Sequence, residues 1–142
     1  MMNKQEQLSE HFTLWEMMRS GTAITQNIKN VPGENEIKAL RALCQNVLEP
    51  LRRRYGAIII TSGYRCKPLN KAVGGSATSQ HLRGEAADIY IPNLEIGRKY
   101  FAFLRDHTPF DQLIWEPRGS RVPRWLHVSF TQRRPNRGQV LM

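Results

Sequence analysis

The ten residues Ser79-Gln80-His81-Leu82-Arg83-Gly84-Glu85-Ala86-Ala87-Asp88 constrain this chain more than any other stretch. They set a histidine and an aspartate seven positions apart among residues that are otherwise mostly small or apolar. Gly84 between them permits a sharp bend, and the strand-favouring run Ile89-Tyr90-Ile91 follows at once. The stretch reads as a ligand loop entering a strand. Imidazole nitrogen and carboxylate oxygen suit a borderline cation such as Zn²⁺, and a catalytic zinc site takes three protein ligands and leaves a fourth position open. One further ligand is needed.

The best supplier is His127, within Trp125-Leu126-His127-Val128-Ser129-Phe130. Period-two alternation places Trp125, His127 and Ser129 on one face of a strand and Leu126, Val128 and Phe130 on the other. A histidine on the less apolar face, beside a strand carrying Asp88, completes a His, Asp, His set. Taken singly, a histidine is more often a surface or hydrogen-bonded core residue than a ligand.

A length of 142 residues fits one domain, expected over 1–142, with a core over about 12–130 and a basic tail over 131–142. Apolar residues make up 40%, enough for a packed core. No apolar run approaches the length needed to cross a bilayer, and Ala57-Ile58-Ile59-Ile60 is only strand-sized. The residues Met1 to Gln7 lack the apolar core of a secretory signal, so synthesis in the cytoplasm is expected. Cys44 and Cys66 form no metal-binding spacing and are expected to be free thiols, Cys44 facing the core. A net charge of +9 suits an anionic partner, whether nucleic acid or the acidic polymers of a bacterial wall.

In chain order, Thr13 and Glu16 form a capping-box pattern for a short helix over Leu14 to Ser20. Ile37, Leu40, Leu43, Cys44, Val47, Leu48 and Leu51 recur at three- and four-residue steps, predicting a long amphipathic helix from Glu34 to about Arg54, which Pro50 should kink or end. A buried strand is expected over Ala57 to Ser62 and a helical turn over Pro68 to Ala72. Another strand is expected over Ala87 to Ile91, and a helix over Leu94 to Asp106 with Asn93 as its cap. Strands over Phe110 to Glu116 and Trp125 to Phe130 complete the core. Arg133, Arg134 and Arg137 read as a solvated, partly disordered end.

Ser79, His81, Gly84, Ala86 and Asp88, upstream of a Trp-x-His strand, resemble the zinc peptidase family of D-alanyl-D-alanine carboxypeptidases and peptidoglycan-cleaving endopeptidases. That family shares its fold with the hedgehog signalling domain, and the resemblance runs from about Phe12 to Phe130. It implies an α+β fold in which a small antiparallel sheet carries the metal site and packs against a long amphipathic helix and shorter helices. It implies one Zn²⁺ per chain on His81, Asp88 and His127, and a peptidoglycan peptide as substrate. Ser62-Gly63-Tyr64-Arg65 matches a segment whose arginine holds substrate oxygen at the active site, assigning Arg65 to that role. Ser79, Gln80 and Trp125 are implied as substrate contacts, Ser79 reading equally well as a turn cap.

The sequence departs from the family at the catalytic base. Many members carry an acid three residues before the last histidine ligand, and here that position is Arg124. Glu116, ending the strand beside the last ligand strand, is the first choice of base, with Glu85 and Asp111 as weaker candidates. His11 and His107 read as surface residues. The small size and absent signal resemble phage endolysins released by a separate holin-type protein to reach the wall, with a monomer expected and neither nucleic acid nor membrane as partner. The competing classes are a zinc-containing wall-binding domain without activity, which Arg124 favours, and a basic nucleic-acid-binding protein, which the charge allows but no recognition motif supports.

Overall fold

The computed structural model describes residues 3–142. Strands β1 (Gln7–Ser9) and β2 (Phe12–Thr13) form a small antiparallel pair that buries Leu8 and Phe12. Thr13 then caps α1 (Leu14–Met18): its hydroxyl accepts the Glu16 amide at 3.3 Å, and the Glu16 carboxylate accepts the Thr13 amide at 3.3 Å. This helix stops two residues short of the expected Ser20 because Ser20 instead caps a separate helix, α2 (Gly21–Thr25), by accepting the Ala23 amide.

The predicted long helix is a helical rod in three pieces: α3 (Glu34–Leu43), a wide π turn (Cys44–Leu48) and α4 (Glu49–Tyr55). Pro50 does not end it. A proline ring crowds the carbonyl four residues back and removes one donor, and the chain meets this with the wider turn just ahead of Pro50, in which the Glu49 amide reaches back to Cys44. Leu40, Leu43, Cys44, Val47, Leu48 and Leu51 are fully buried along one face. Both cysteines are free thiols. Buried Glu49 ties the rod to the first strand pair, accepting the Ser9 hydroxyl at 2.8 Å and lying 2.9 Å from the His11 ring.

Beyond the rod come β3 (Ile60–Ser62), α5 (Lys67–Ala72), a 3₁₀ turn (Gln80–Arg83), β4 (Ala86–Tyr90), α6 (Leu94–His107), β5 (Gln112–Glu116), β6 (Trp125–Ser129) and β7 (Gln139–Leu141). Asn93 caps α6 through the Ile96 amide, as expected. Five of these strands form one sheet in the order β3-β4-β6-β5-β7, antiparallel except for the parallel pair β5-β7. The register places Ala87 and Ile89, Leu126 and Val128, and Leu113 and Trp115 on one face, where they pack on the rod and on Tyr100, Phe101 and Leu104 of α6. Phe101 meets Trp115 edge-on at 5.4 Å. The opposite face carries Asp88, His127, Ile114, Glu116 and Trp125.

The segment 131–142 corrects the expected solvated tail. It turns back over the sheet, adds β7 to the edge of β5, and brings three arginines onto two buried acids. Arg133 makes a two-point contact with Glu85, whose Oε2 also accepts the Thr131 hydroxyl. Arg134 and Arg137 each contact both oxygens of Asp111. Burial alone would raise both carboxyls, but the guanidiniums outweigh it and hold each below the usual carboxylate range.

A chain ending at Phe130 would leave these two buried carboxylates without their guanidiniums and β5 with a bare edge, so it should melt at least about 5 °C lower than the full chain. Because both carboxyls titrate below their ordinary values near 4, the stability they add is complete above about pH 5. It is lost as pH falls below about 4. Thermal melting at several pH values checks both expectations, and equal melting of the two chains would show that the segment adds nothing.

Candidate metal centre

The centre is built on the antiparallel register of two neighbouring strands. Asp88 of β4 stands directly opposite His127 of β6, so the two side chains project from the same face. His81 arrives from the 3₁₀ turn that precedes β4. Gly84 ends that turn with φ 73°, and a Cβ there would lie 2.4 Å from the Glu36 carbonyl oxygen of α3. Only glycine both adopts this conformation readily and allows the rod so close, which carries the chain from His81 back into the strand.

Nε2 of His81 and Nδ1 of His127 each lie 3.3 Å from the same atom, Oδ1 of Asp88. Among the described residues, that oxygen is the one buried side-chain polar atom without a hydrogen-bond partner. Nδ1 of His81 lies 2.7 Å from the Gly63 carbonyl oxygen, a pure acceptor, so Nδ1 carries the proton and Nε2 presents its lone pair to Asp88. Burial lowers the His81 pKa, outweighing the attraction of Asp88 and favouring the neutral ring. The His81 lone pair and the carboxylate oxygen it faces repel unless a cation lies between them. The donor set of two imidazoles and one carboxylate fits Zn²⁺, and the ligand atoms all lie within 4.8 Å of one another.

The other oxygen of Asp88 is held by Arg65, whose Nη2 lies 3.3 Å from Oδ2. Arg65 is itself fixed by Ser62 through Nε at 3.0 Å and by Asn70 through Nη1 at 3.1 Å. Burial lowers its pKa, with Asp88 opposing the shift. The structure thus places Arg65 against a metal-ligand candidate as well as on the cleft wall, a contact the sequence did not reveal.

These groups form the floor of an open cleft of about 730 Å³, also lined by Ser79, Gln80, Glu116 and Trp125. The Ser79 hydroxyl accepts the His81 amide at 3.2 Å, so it caps the turn while facing the cleft. Gln80 lines the cleft and donates to Asp111 Oδ2 at 3.1 Å. Trp125 stands opposite Glu116 in the β5-β6 register, two residues along each strand from the His127 row.

The candidates for a base separate cleanly. Glu85 is engaged by Arg133 and Thr131, and Asp111 by Arg134 and Arg137, so neither carboxylate is free to take a proton. Glu116 faces the cleft, and among the described residues no basic group lies within ion-pair distance of it. Arg124 is exposed and lies against a different depression, outside the cleft. His107 is exposed on α6, packed near Phe103. His11 belongs to a second acid and histidine group with Glu10 and Glu49, in which the Glu49 oxygens already receive Ser9 and the His11 backbone and ring.

Several supporting residues were not foreseen. Asn30 donates to the carbonyls of Met18 and Tyr64 and accepts the Cys66 amide, tying down the loop that carries Arg65. A Cβ on Gly75 would lie 2.1 Å from the Asn70 side-chain oxygen and 2.9 Å from the Arg65 guanidinium, so the Gly74-Gly75 pair serves close packing beside Arg65. The Gly74-Gly75 pair was the available signal.

An α+β domain that brings one imidazole from a turn, and a second with a carboxylate from its sheet, to the floor of an open cleft has the donor set that a metal-dependent hydrolase requires. The family model described as Peptidase M15 matches residues 10–129, and the chain is a member of that family. It is a peptidase, of the metallopeptidase kind. No curated protein matches the chain at a significant level. The matched residues include every proposed ligand together with Arg65 and Glu116, and stop just short of the arginine-bearing segment.

Purified protein supplied with zinc should hold about one ion per chain. His81→Ala, Asp88→Ala and His127→Ala should each remove most of it. Elemental analysis showing parental zinc in all three variants would place the metal elsewhere.

Proposed function

We propose that this chain is a zinc-dependent peptidase that hydrolyses a peptide bond in bacterial peptidoglycan stem peptides, as a D-Ala-D-Ala carboxypeptidase or an endopeptidase. The observation that carries the reading is the unpartnered Oδ1 of Asp88, buried between two histidine nitrogens at the floor of an open cleft. Nε2 of His81, Oδ1 of Asp88 and Nδ1 of His127 would hold the ion. Zinc in such a setting supplies Lewis acidity toward a carbonyl and makes water more acidic.

The chain's own groups supply the rest. Glu116 accepts a proton at its carboxylate from the water whose oxygen bonds to the scissile carbonyl carbon, then returns a proton to the nitrogen as the C–N bond breaks. Arg65 holds Asp88 in place through Oδ2 and lines the cleft, where an N–H that these contacts leave unused can bind carboxylate or carbonyl oxygen of the substrate. Ser79, Gln80 and Trp125 give the substrate backbone a polar edge and an aromatic wall. Access to the wall would follow release by a separate membrane-permeabilising protein, and no helix among the described residues is long and apolar enough to cross a membrane.

A second reading, a zinc-bearing wall-binding domain without activity, draws on Arg124 in place of the usual acid. It loses ground because Glu116 offers a carboxylate to the same cleft from the neighbouring strand. The two readings differ in one assay: new amines released from purified peptidoglycan.

Glu116→Gln should keep zinc and fold while turnover falls by about 10² or more, the usual scale of a general base. Parental turnover in a zinc-loaded Glu116→Gln protein would exclude that role. Arg65→Lys should also retain zinc yet lose most activity, because an ammonium cannot reproduce three fixed contacts and a substrate contact together. Unchanged turnover there would leave Arg65 a packing residue only.

A further inference from the structure

The charge around the cleft is lopsided. Glu116 and Trp125 stand at one end of the ligand-bearing face, and Gln112 lies on the same strand as Glu116 beyond Ile114. At the Gln112 end the C-terminal segment brings Arg133, Arg134 and Arg137 to the cleft wall, with Arg83 nearby. Two buried carboxylates, Glu85 and Asp111, answer three of these arginines, and Arg83 has no carboxylate within ion-pair distance among the described residues. The guanidinium side chains keep 37–47% of their surface exposed although each already holds a carboxylate. A guanidinium carries five N–H donors, and the contacts to Asp111 and Glu85 use only part of each set. Excess positive charge and unused planar donors thus face the cleft, on a frame made rigid by buried acids.

We propose that this arginine wall is a subsite for a carboxylate of the peptide substrate, on the side of the scissile bond opposite the Glu116 end. The proposal rests on the peptidase reading above and adds a charge requirement that the metal centre does not impose. A free carboxylate accepts two parallel N–H bonds from one guanidinium, whereas its amide accepts fewer and carries no charge. Because the arginines project into the cleft that holds the metal candidates, the anion they meet is part of the bound peptide rather than a separate polymer on another face. Apart from Arg83, the subsite lies in residues beyond the family match.

The test compares soluble stem-peptide fragments of purified peptidoglycan with their carboxylates either free or converted to amides. Binding to zinc-loaded Glu116→Gln protein is read by fluorescence anisotropy, alongside hydrolysis by the parent. The free form should bind about tenfold more tightly than the amide form, the scale of one charge-assisted contact. That preference should shrink several-fold in Arg134→Gln, where Arg137 still holds both oxygens of Asp111, and in Arg83→Gln, which breaks no ion pair. Added salt should weaken the preference as well.

Equal binding of the two fragment types overturns the proposal, and so does a preference that survives in both variants, since Arg65 would then account for it. Tripolyphosphate displacing the free fragments more tightly than the fragments bind would also overturn it, by marking the wall as a polyanion site. If the parent binds with the stated preference but releases no amines, the peptidase reading falls and the subsite stands. Hydrolysis of both fragment types with equal KM gives the reverse outcome.

Discussion

Two imidazole nitrogens and a carboxylate oxygen are held against one another at the floor of the cleft. Nε2 of His81 and Nδ1 of His127 converge on Oδ1 of Asp88, each at 3.3 Å, and no donor among the described residues satisfies that oxygen. A buried charge left in this state is costly, and a cation among the three groups removes the cost. Much of the surrounding structure serves to keep the groups from relaxing apart. The Gly63 carbonyl fixes the His81 ring, the β4-β6 register fixes His127 opposite Asp88, and Arg65 pins the second carboxylate oxygen.

The scaffold behind these contacts is apolar and tightly filled. One face of the sheet is buried against the helical rod and α6, leaving the other for polar chemistry. Strand alternation alone produces this division, because residues two apart share a face. The rod contributes a second constraint: its backbone at Glu36 comes within 2.4 Å of where a Cβ on Gly84 would stand, which sets the depth of the ligand turn. The helix face formed by Leu40, Leu43, Val47 and Leu51 is therefore coupled to the position of His81.

Much of this was legible in the sequence because it depends on local periodicity. The alternation in Trp125 to Phe130 placed His127 on the open face, the three- and four-residue steps marked the rod, and Thr13 and Asn93 announced their helices. Three features were not legible, each for a physical reason. Pro50 lies within a helix because a π turn absorbs its missing donor, and such a turn has no sequence signature of its own. Ion pairs between Arg133 and Glu85, or Arg137 and Asp111, join residues 48 and 26 positions apart, so a charged stretch read by itself looks solvated. Arg65 shows the same limit: its place near the centre followed from the motif, but its bond to Asp88 required β3 and β4 to be seen side by side.

The most direct test of the account is a crystal grown with zinc and measured across the zinc absorption edge. The account predicts a single anomalous peak among Nε2 of His81, Nδ1 of His127 and Oδ1 of Asp88, with Arg65 still on Oδ2. A fully loaded protein whose anomalous peak lay at Glu10, His11 and Glu49, or whose His81 ring had turned Nδ1 away from Gly63 toward the metal, would contradict it.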